Sequence, residues 1–347
     1  MRRLRTVRQY VETPVLLIAL VCATALVLKA ISEIMEGRAI NMLITAILVI
    51  GLYVFAGNSG VFSFGHVAFM AIGAYTAAAF RIPAETKEAL FPRLPEMQLS
   101  ATQATLLAGI AAASVALVVG IPLMRLSGLA ASLGTFALLN IVYIITSNWS
   151  TVTGGSTGLA NVPQTTSFTV ALVWTSVAVL AAWAFQWTSS CLRLRATRED
   201  DVATASLGVN TTFHRAVAFV FSAFIMGIGG ALFAGYYGTF NPDSFFIAVT
   251  FLLVAMLVVG GRLSLSGAIV GTLFITVATE LLRRAEEGFS VGPVSIPTRP
   301  GLQDVGVALA MLFILLLRPS GITGGRELRL ITPRLRRGHR GPEKVAE

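Results

Sequence analysis

"GNSGVFSFGHVAFMAIGAYTAA" occupies residues 57–78. Its two halves obey different rules. Positions 57–65 hold three glycines, two serines and an asparagine, and then His66 opens a run of small apolar residues. Two readings follow: a tight turn joining two membrane helices, or part of whatever the protein moves or binds. Within a bilayer, irregular backbone is tolerated only where it is buried in protein or lines a wet cavity, because an unpaired amide facing lipid costs several kcal/mol. Gly57 to Gly65 is therefore expected to be a broken or re-entrant entry to a span, with Gly60 and Gly65 as structural glycines. Ser63 and His66 are candidates to touch a pathway. A neutral histidine hydrogen-bonded within the bundle explains the position equally well.

The rest of the chain supplies the membrane. Of 347 residues 55% are hydrophobic and only 12% charged, and the mean hydropathy is +0.78, which no soluble domain with a polar surface tolerates. The formal charge of +9 would suggest nucleic acid in a soluble protein. Here most of the arginine lies in short segments flanking apolar runs, where it sets orientation and meets anionic lipid head groups, so no nucleic-acid partner is expected. Two cysteines, Cys22 and Cys191, cannot form a disulfide framework, and no Cys/His cluster has metal-ligand spacing. The basic, then apolar N-terminus resembles a signal peptide, but the apolar run continues to about residue 30 and many more follow, so it reads as an uncleaved first span.

A crossing helix needs roughly 20 apolar residues for a core about 30 Å thick. Candidate runs are 14–31, 39–57, 61–80, 102–124, 127–147, 168–189, 216–240, 244–261, 263–279 and 301–317. The expected fold is an all-α polytopic membrane protein of about ten transmembrane helices: a basic N-terminus 1–13, a transmembrane domain 14–317 and a basic, solvated tail 318–347. Ten spans put both termini on one side. Placing that side in the cytoplasm collects eighteen Lys and Arg against seven outside, and ten against seven without the tail.

The largest internal loop, 190–215, "CLRLRATREDDVATASLGVNTTFHR", mixes three arginines with Glu199, Asp200 and Asp201 and then runs through small apolar residues to Gly208. It reads as a short amphipathic helix with acids near its start, Ala203, Leu207 and Val202 on one face and Gly208 as its stop. Asn210, Thr211 and Thr212 can cap the next span. Such a helix either docks its apolar face on a partner or folds back on its own membrane domain.

A repeat also emerges. "GVFSFGHVAFMAIG" from Gly60 lies on "GRLSLSGAIVGTLF" from Gly261, pairing Gly60 with Gly261, Ser63 with Ser264 and, with one insertion, Gly65 with Gly267. Both copies follow an apolar span running outside to inside, as a parallel internal duplication would place them. Gly267 and Gly271, like Gly73 and Ala77, suit close helix packing. "RLSGLAASLGTFALLN", 125–140, opens a span with small residues, and its Ser132, Thr135 and Asn140 can face a polar lumen or simply pack. The uncharged loop 148–163 is either a lid or a flexible connection. Ionisable residues at membrane depth are few: His66, Lys29, Glu280 and Asp304, the last three near span ends. No GxxxxGK[ST] phosphate loop and no nucleophile–base constellation occur, so neither catalytic residues nor a bound cofactor or metal are expected.

Five ordered motifs carry a resemblance: "GVFSFGHVAFMAIGAYTAA", "RLSGLAASLGTFAL" followed by "TGGSTGL", "RATREDDVATASLGVN", "VVGGRLSLSGAIVG" and "LLLRPSGITG". From about residue 51 to 325 the chain resembles the permeases of branched-chain amino acid ABC transporters, of the LivM type. The resemblance implies an importer subunit in a bacterial cytoplasmic (inner) membrane. Its implied partners are a LivH-like sister permease, two cytoplasmic ATP-binding subunits carrying ATP and Mg, and a periplasmic or lipid-anchored substrate-binding protein. It makes 190–215 an ATPase-coupling loop, with Glu199, Asp200, Asp201, Ala205 and Gly208 as its implied contacts. Similar permeases serve urea, short amides or aromatic acids. A passive channel and a membrane scaffold are the competing readings.

Overall fold

The computed structural model describes residues 2–90, 97–286, 290–291, 294–295 and 301–328. Their helices, in chain order, are α1 (Arg2–Ile31), α2 (Glu33–Ser59), α3 (His66–Ala79), α4 (Ala84–Leu90), α5 (Ala101–Leu123), α6 (Gly128–Asn148), α7 (Ser150–Thr153), α8 (Phe168–Gln186), α9 (Ser189–Glu199), α10 (Asp201–Ser206), α11 (Thr211–Tyr237), α12 (Ile247–Gly260), α13 (Leu265–Glu286) and α14 (Leu302–Leu317). The only extended pairing among the described residues beyond an isolated bridge is a two-residue ladder, Ser290↔Ser295 and Val291↔Val294. Among the described residues, eight helices are long and apolar enough to cross a membrane, and the shorter apolar helices His66–Ala79 and Val305–Ile314 fill the other two expected positions. The third span starts later than its apolar run because residues 60–65 are not helical.

Local chemistry sets these limits. Ser32, Ser100, Ser167 and Asn210 each accept a first-turn backbone N–H with their side chains, the usual means of satisfying amides that have no helical partner. At the far end of α2, Gly60 adopts φ +75° and donates its N–H to the Ala56 carbonyl, and at the end of α12 Gly261 adopts φ +120° and donates to Leu257. Both positions lie in the left-handed region that favours glycine.

Helix α2 forms the axis: every residue from Ala46 to Ser59 is buried. Helix α11 packs along α5, α3 and α2, while α12 and α13 pair against α2. Because lipid tails are as apolar as leucine, such helices hold together through close backbone approach and interhelical hydrogen bonds. A Cβ on Gly73 would strike the Gly227 backbone, and one on Gly271 would strike the Met256 carbonyl. Ser222 donates to the Gly51 carbonyl at 2.6 Å, Thr175 to Leu43 at 3.1 Å and Thr166 to Leu232 at 3.0 Å.

The connections alternate between two ends. Loop 148–167 is stitched to the turn after α11 by a Leu159–Phe240 bridge and by N–H donation from Val162 to Gly238 and from Thr165 to Gly235. It is therefore an anchored crossing at one end. At the opposite end lie the α2–α3 break, the α12–α13 break, α9 and α10, and the segment after α14.

Candidate functional site

The two breaks meet at one junction. Gly57 lies against the Arg262 backbone, and the Arg262 guanidinium sits 4.9 Å from the Phe62 ring centroid. Helices α2 and α12 therefore run to the same end, as the parallel repeat requires. In each copy the paired serine holds the next helix: Ser63 accepts the Gly65 N–H at 3.4 Å, and Ser264 accepts the Gly267 N–H at 3.0 Å.

The first break is secured by α6. Ser132 donates to the Phe62 carbonyl at 2.7 Å, and the Phe64 N–H donates to the Thr135 hydroxyl at 3.3 Å. Gly65 touches the Thr135 carbonyl so closely that no Cβ fits. Ser63 and His66 are each 2% exposed, and their Oγ and Nδ1 lie 2.6 Å apart. Phe55, Phe69 and Phe219 surround the imidazole at ring-centroid distances of 5.2, 6.0 and 5.3 Å. Ser63, His66, Ser132 and Thr135 are thus brought together inside the bundle, where the three hydroxyls bond the irregular backbone and His66 bonds Ser63. Asn140 stands apart and donates within its own helix to Phe136.

The second break is secured by the chain end. After α14 the segment Arg318–Leu328 folds back, with Ile322 N–H donating to Val259 at 2.8 Å and Thr323 N–H to Gly260 at 3.0 Å. One oxygen of the Glu327 carboxylate accepts the Leu265 N–H at 2.8 Å, and the other accepts the Ser266 N–H at 3.0 Å and the Ser266 hydroxyl at 2.6 Å. An anion on the first amides of a helix meets both unpaired donors and the positive end of the dipole. This corrects the expectation of a solvated tail from residue 318: residues 319–328 are a strap closing the α12–α13 break, because their backbone and Glu327 supply partners that the break lacks. Residues 329–347 lie outside the described residues.

Helix α9 bonds the first break, and Gln186 of α8 carries the connection on to the second. Arg195 donates to Asn58 Oδ1 at 2.7 Å and to the Tyr53 hydroxyl at 3.2 Å, and Arg198 donates to the Gly57 carbonyl at 2.8 Å. Gln186, at the end of α8, donates to Tyr53 and to Glu327. A continuous polar web therefore runs from the internal loop through the end of α2 to the start of α13. None of Tyr53, Asn58, Gln186, Arg195, Arg198 or Glu327 was singled out from sequence. The i, i+3 spacing of Arg195 and Arg198 was the available signal.

The internal loop is two helices rather than one. Asp200 is extended (φ −153°, ψ 106°) and accepts the Ala203 N–H, so it ends α9 and caps α10. Asp201 accepts from Thr211 at 3.0 Å and lies 3.5 Å from Arg215. Glu199 pairs with Arg198 at 2.8 Å. Asp200 and Asp201 therefore shape the segment, while Glu199 stays largely exposed beside Arg198. Its apolar residues face outward: Val202 is 80% and Leu207 83% exposed, Ala203 and Ala205 are exposed, and Gly208 (φ +78°) has open space around it. The Cys191 side of α9 is buried, and burial pushes that thiol above its ordinary range despite the nearby Arg195 and Arg198.

Among the described residues, ten apolar helices around two matched breaks, with an outward-facing apolar segment bonded to the first and linked through Gln186 to the second, define a polytopic membrane protein. Residues 34–317 match the permease component of branched-chain amino acid transport systems, and the chain belongs to that family. It is 28% identical over 279 residues to the high-affinity branched-chain amino acid transport system permease protein LivM of Salmonella typhimurium and to that of Escherichia coli, covering 71% of this chain and 63% of each relative. The alignment thus spans under two thirds of the LivM relatives' length. It is also 31% identical over 161 residues to the permease protein LivH of Salmonella typhimurium, covering 46% of this chain and 48% of that one. No solved structure matches the chain.

Proposed function

We propose that this chain is a membrane-spanning subunit of an ATP-binding cassette importer, and that it moves branched-chain amino acids or a related small polar solute by alternating access. The observation carrying this reading is the junction: an exposed apolar segment, α9–α10, bonded directly to the first helix break and linked to the second only through Tyr53, Gln186 and Glu327. A partner pushing on Val202 and Leu207 would move Arg195 and Arg198, and with them the end of α2 and, through that link, the start of α13, as a lever acts on a hinge. The expected partners are a LivH-like sister permease completing the pathway, two ATP-binding subunits carrying ATP and Mg on the cytoplasmic side, and a binding protein delivering solute at the opposite end. Both termini would then be cytoplasmic. Similarity to both LivM and LivH proteins supports a paired permease.

The residues split by role under this reading. Val202, Ala203, Ala205, Leu207 and Gly208 form the docking face, whereas Asp200 and Asp201 hold its shape and Glu199 stays exposed beside Arg198. Ser63, His66, Ser132 and Thr135 brace the first break, leaving Asn140 as the remaining pathway candidate. The test is uptake and subunit co-purification in the assembled transporter. Val202→Asp with Leu207→Asp should abolish ATPase association and uptake while membrane insertion persists, and charge reversal at the three acids should weaken both. Solute flux through this chain alone in liposomes, without ATP, would overturn the importer reading in favour of a passive channel.

A further inference from the structure

At the end opposite the junction, a cavity of about 580 Å³ opens between α1, α2, α12, α13 and α14. Its walls are mainly apolar, with Met42, Leu252, Met256 and Met311 among them and Asn41, Thr45 and Thr276 interspersed, and its charged groups, Arg38, Glu280 and Arg284, gather toward one end. The helices give its depth. Arg38 lies five residues into α2, Glu280 six from the end of α13, and Met256 and Met311 nine residues into α12 and α14. At 1.5 Å per residue, the charged rim sits roughly 8 Å from the helix ends and the methionines roughly 14 Å. The groove therefore runs from head-group level to near the middle of a hydrocarbon core about 30 Å thick, the depth of one leaflet.

The rim carries Arg38, Arg284 and Glu280. Glu280 is already held by Arg283 at 2.8 Å and Arg284 at 3.1 Å, with the Arg38 Nε 3.6 Å away. Its carboxylate is thus satisfied, while the Arg38 and Arg284 side chains stay 42% and 53% exposed beside it. A guanidinium has five donors in a planar fork suited to phosphate. A zwitterionic solute would need a carboxylate with room for its ammonium, and Glu280 offers none.

We propose that this groove binds an anionic phospholipid, with its phosphate on Arg38 and Arg284 and one acyl chain along the methionine wall. The site does not depend on the solute carried. A lipid seated there would fill the space between α1 and α14 and fix how the α12–α13 pair sits against α2.

The test is native mass spectrometry of the full-length chain in detergent, titrated with phosphatidylglycerol, phosphatidylethanolamine or inorganic phosphate. Phosphatidylglycerol adducts should survive at least fivefold better than phosphatidylethanolamine adducts. Arg38→Gln with Arg284→Gln should erase that preference, and Leu252→Trp, which fills the groove without touching charge, should reduce retention of both lipids. Equal retention of the two lipids by the unaltered chain would overturn the proposal. So would a preference that survives the double substitution, or thermal protection by inorganic phosphate equal to that by phosphatidylglycerol. Circular dichroism of each variant separates loss of binding from loss of fold.

Discussion

Glu327→Ala tests whether the strap after α14 holds the second break. The carboxylate supplies the acceptors for the Leu265 and Ser266 amides and for the Ser266 hydroxyl. A hydrogen bond to a charged group contributes about 1.5–3 kcal/mol, and a charge at a helix terminus about 0.3–1 kcal/mol. Glu327 is only half-buried, so water replaces part of what is lost and the sum is discounted to about 2–3 kcal/mol. At about 1.4 kcal/mol per factor of ten, hydrogen exchange at the Leu265 and Ser266 amides should accelerate on the order of a hundredfold. Glu327→Gln is the sharper probe. The two amides use different carboxylate oxygens, and glutamine has one oxygen, so one amide should lose protection by roughly tenfold while the other keeps it. Exchange unchanged at both amides in the alanine variant would refute the capping role. Faster exchange with undiminished uptake would refute the link from strap to transport.

Three further outcomes follow from the geometry. Thr135→Val preserves shape but leaves the Phe64 N–H without its acceptor, so the thermal midpoint of the purified chain should fall by the equivalent of about 1–3 kcal/mol; an unchanged midpoint would mean that α6 does not support the break. Gly73→Ala forces a Cβ into the Gly227 backbone whereas Gly208→Ala meets open space, so the first should cost about 1–3 kcal/mol or more and the second only the roughly 1 kcal/mol of a left-handed alanine; the reverse order in size-exclusion melting curves would contradict the α3–α11 crossing. Cys191 is buried with its thiol pushed up, and a raised thiol is protonated and unreactive at neutral pH; on a Cys22→Ser background, maleimide should label it slowly, and rapid stoichiometric labelling would show that α9 is not seated.

The spans were legible because a bilayer imposes a length. A run of some 20 apolar residues has few alternatives to a crossing helix, and all ten runs coincide with apolar helices. The first break was legible for a related reason. Gly60, Ser63 and Gly65 stand inside an apolar context with residues that end a helix and few that continue one, and the same pattern from Gly261 marked the second. The role of the internal acids was not legible. Three carboxylates in a loop look like a docking surface, but whether each faces a partner or its own chain depends on where Thr211, Arg215 and the start of α10 come to lie.

Residue order alone gives a membrane protein of ten apolar segments, interrupted at Gly60–Gly65 and at Gly261, and the family to which it belongs. Hydrophobic length and helix termination are local properties, and five ordered motifs carry family membership. What holds the breaks depends on how the folded helices meet. Ser132 and Thr135 reach the first from some 70 positions away, and Glu327 reaches the second from about 60. An unpaired amide at membrane depth requires a partner, but the chain order does not say which one. That is settled by how the helices cross, and the crossings rest on backbone contacts such as Gly73 on Gly227 that no single segment encodes.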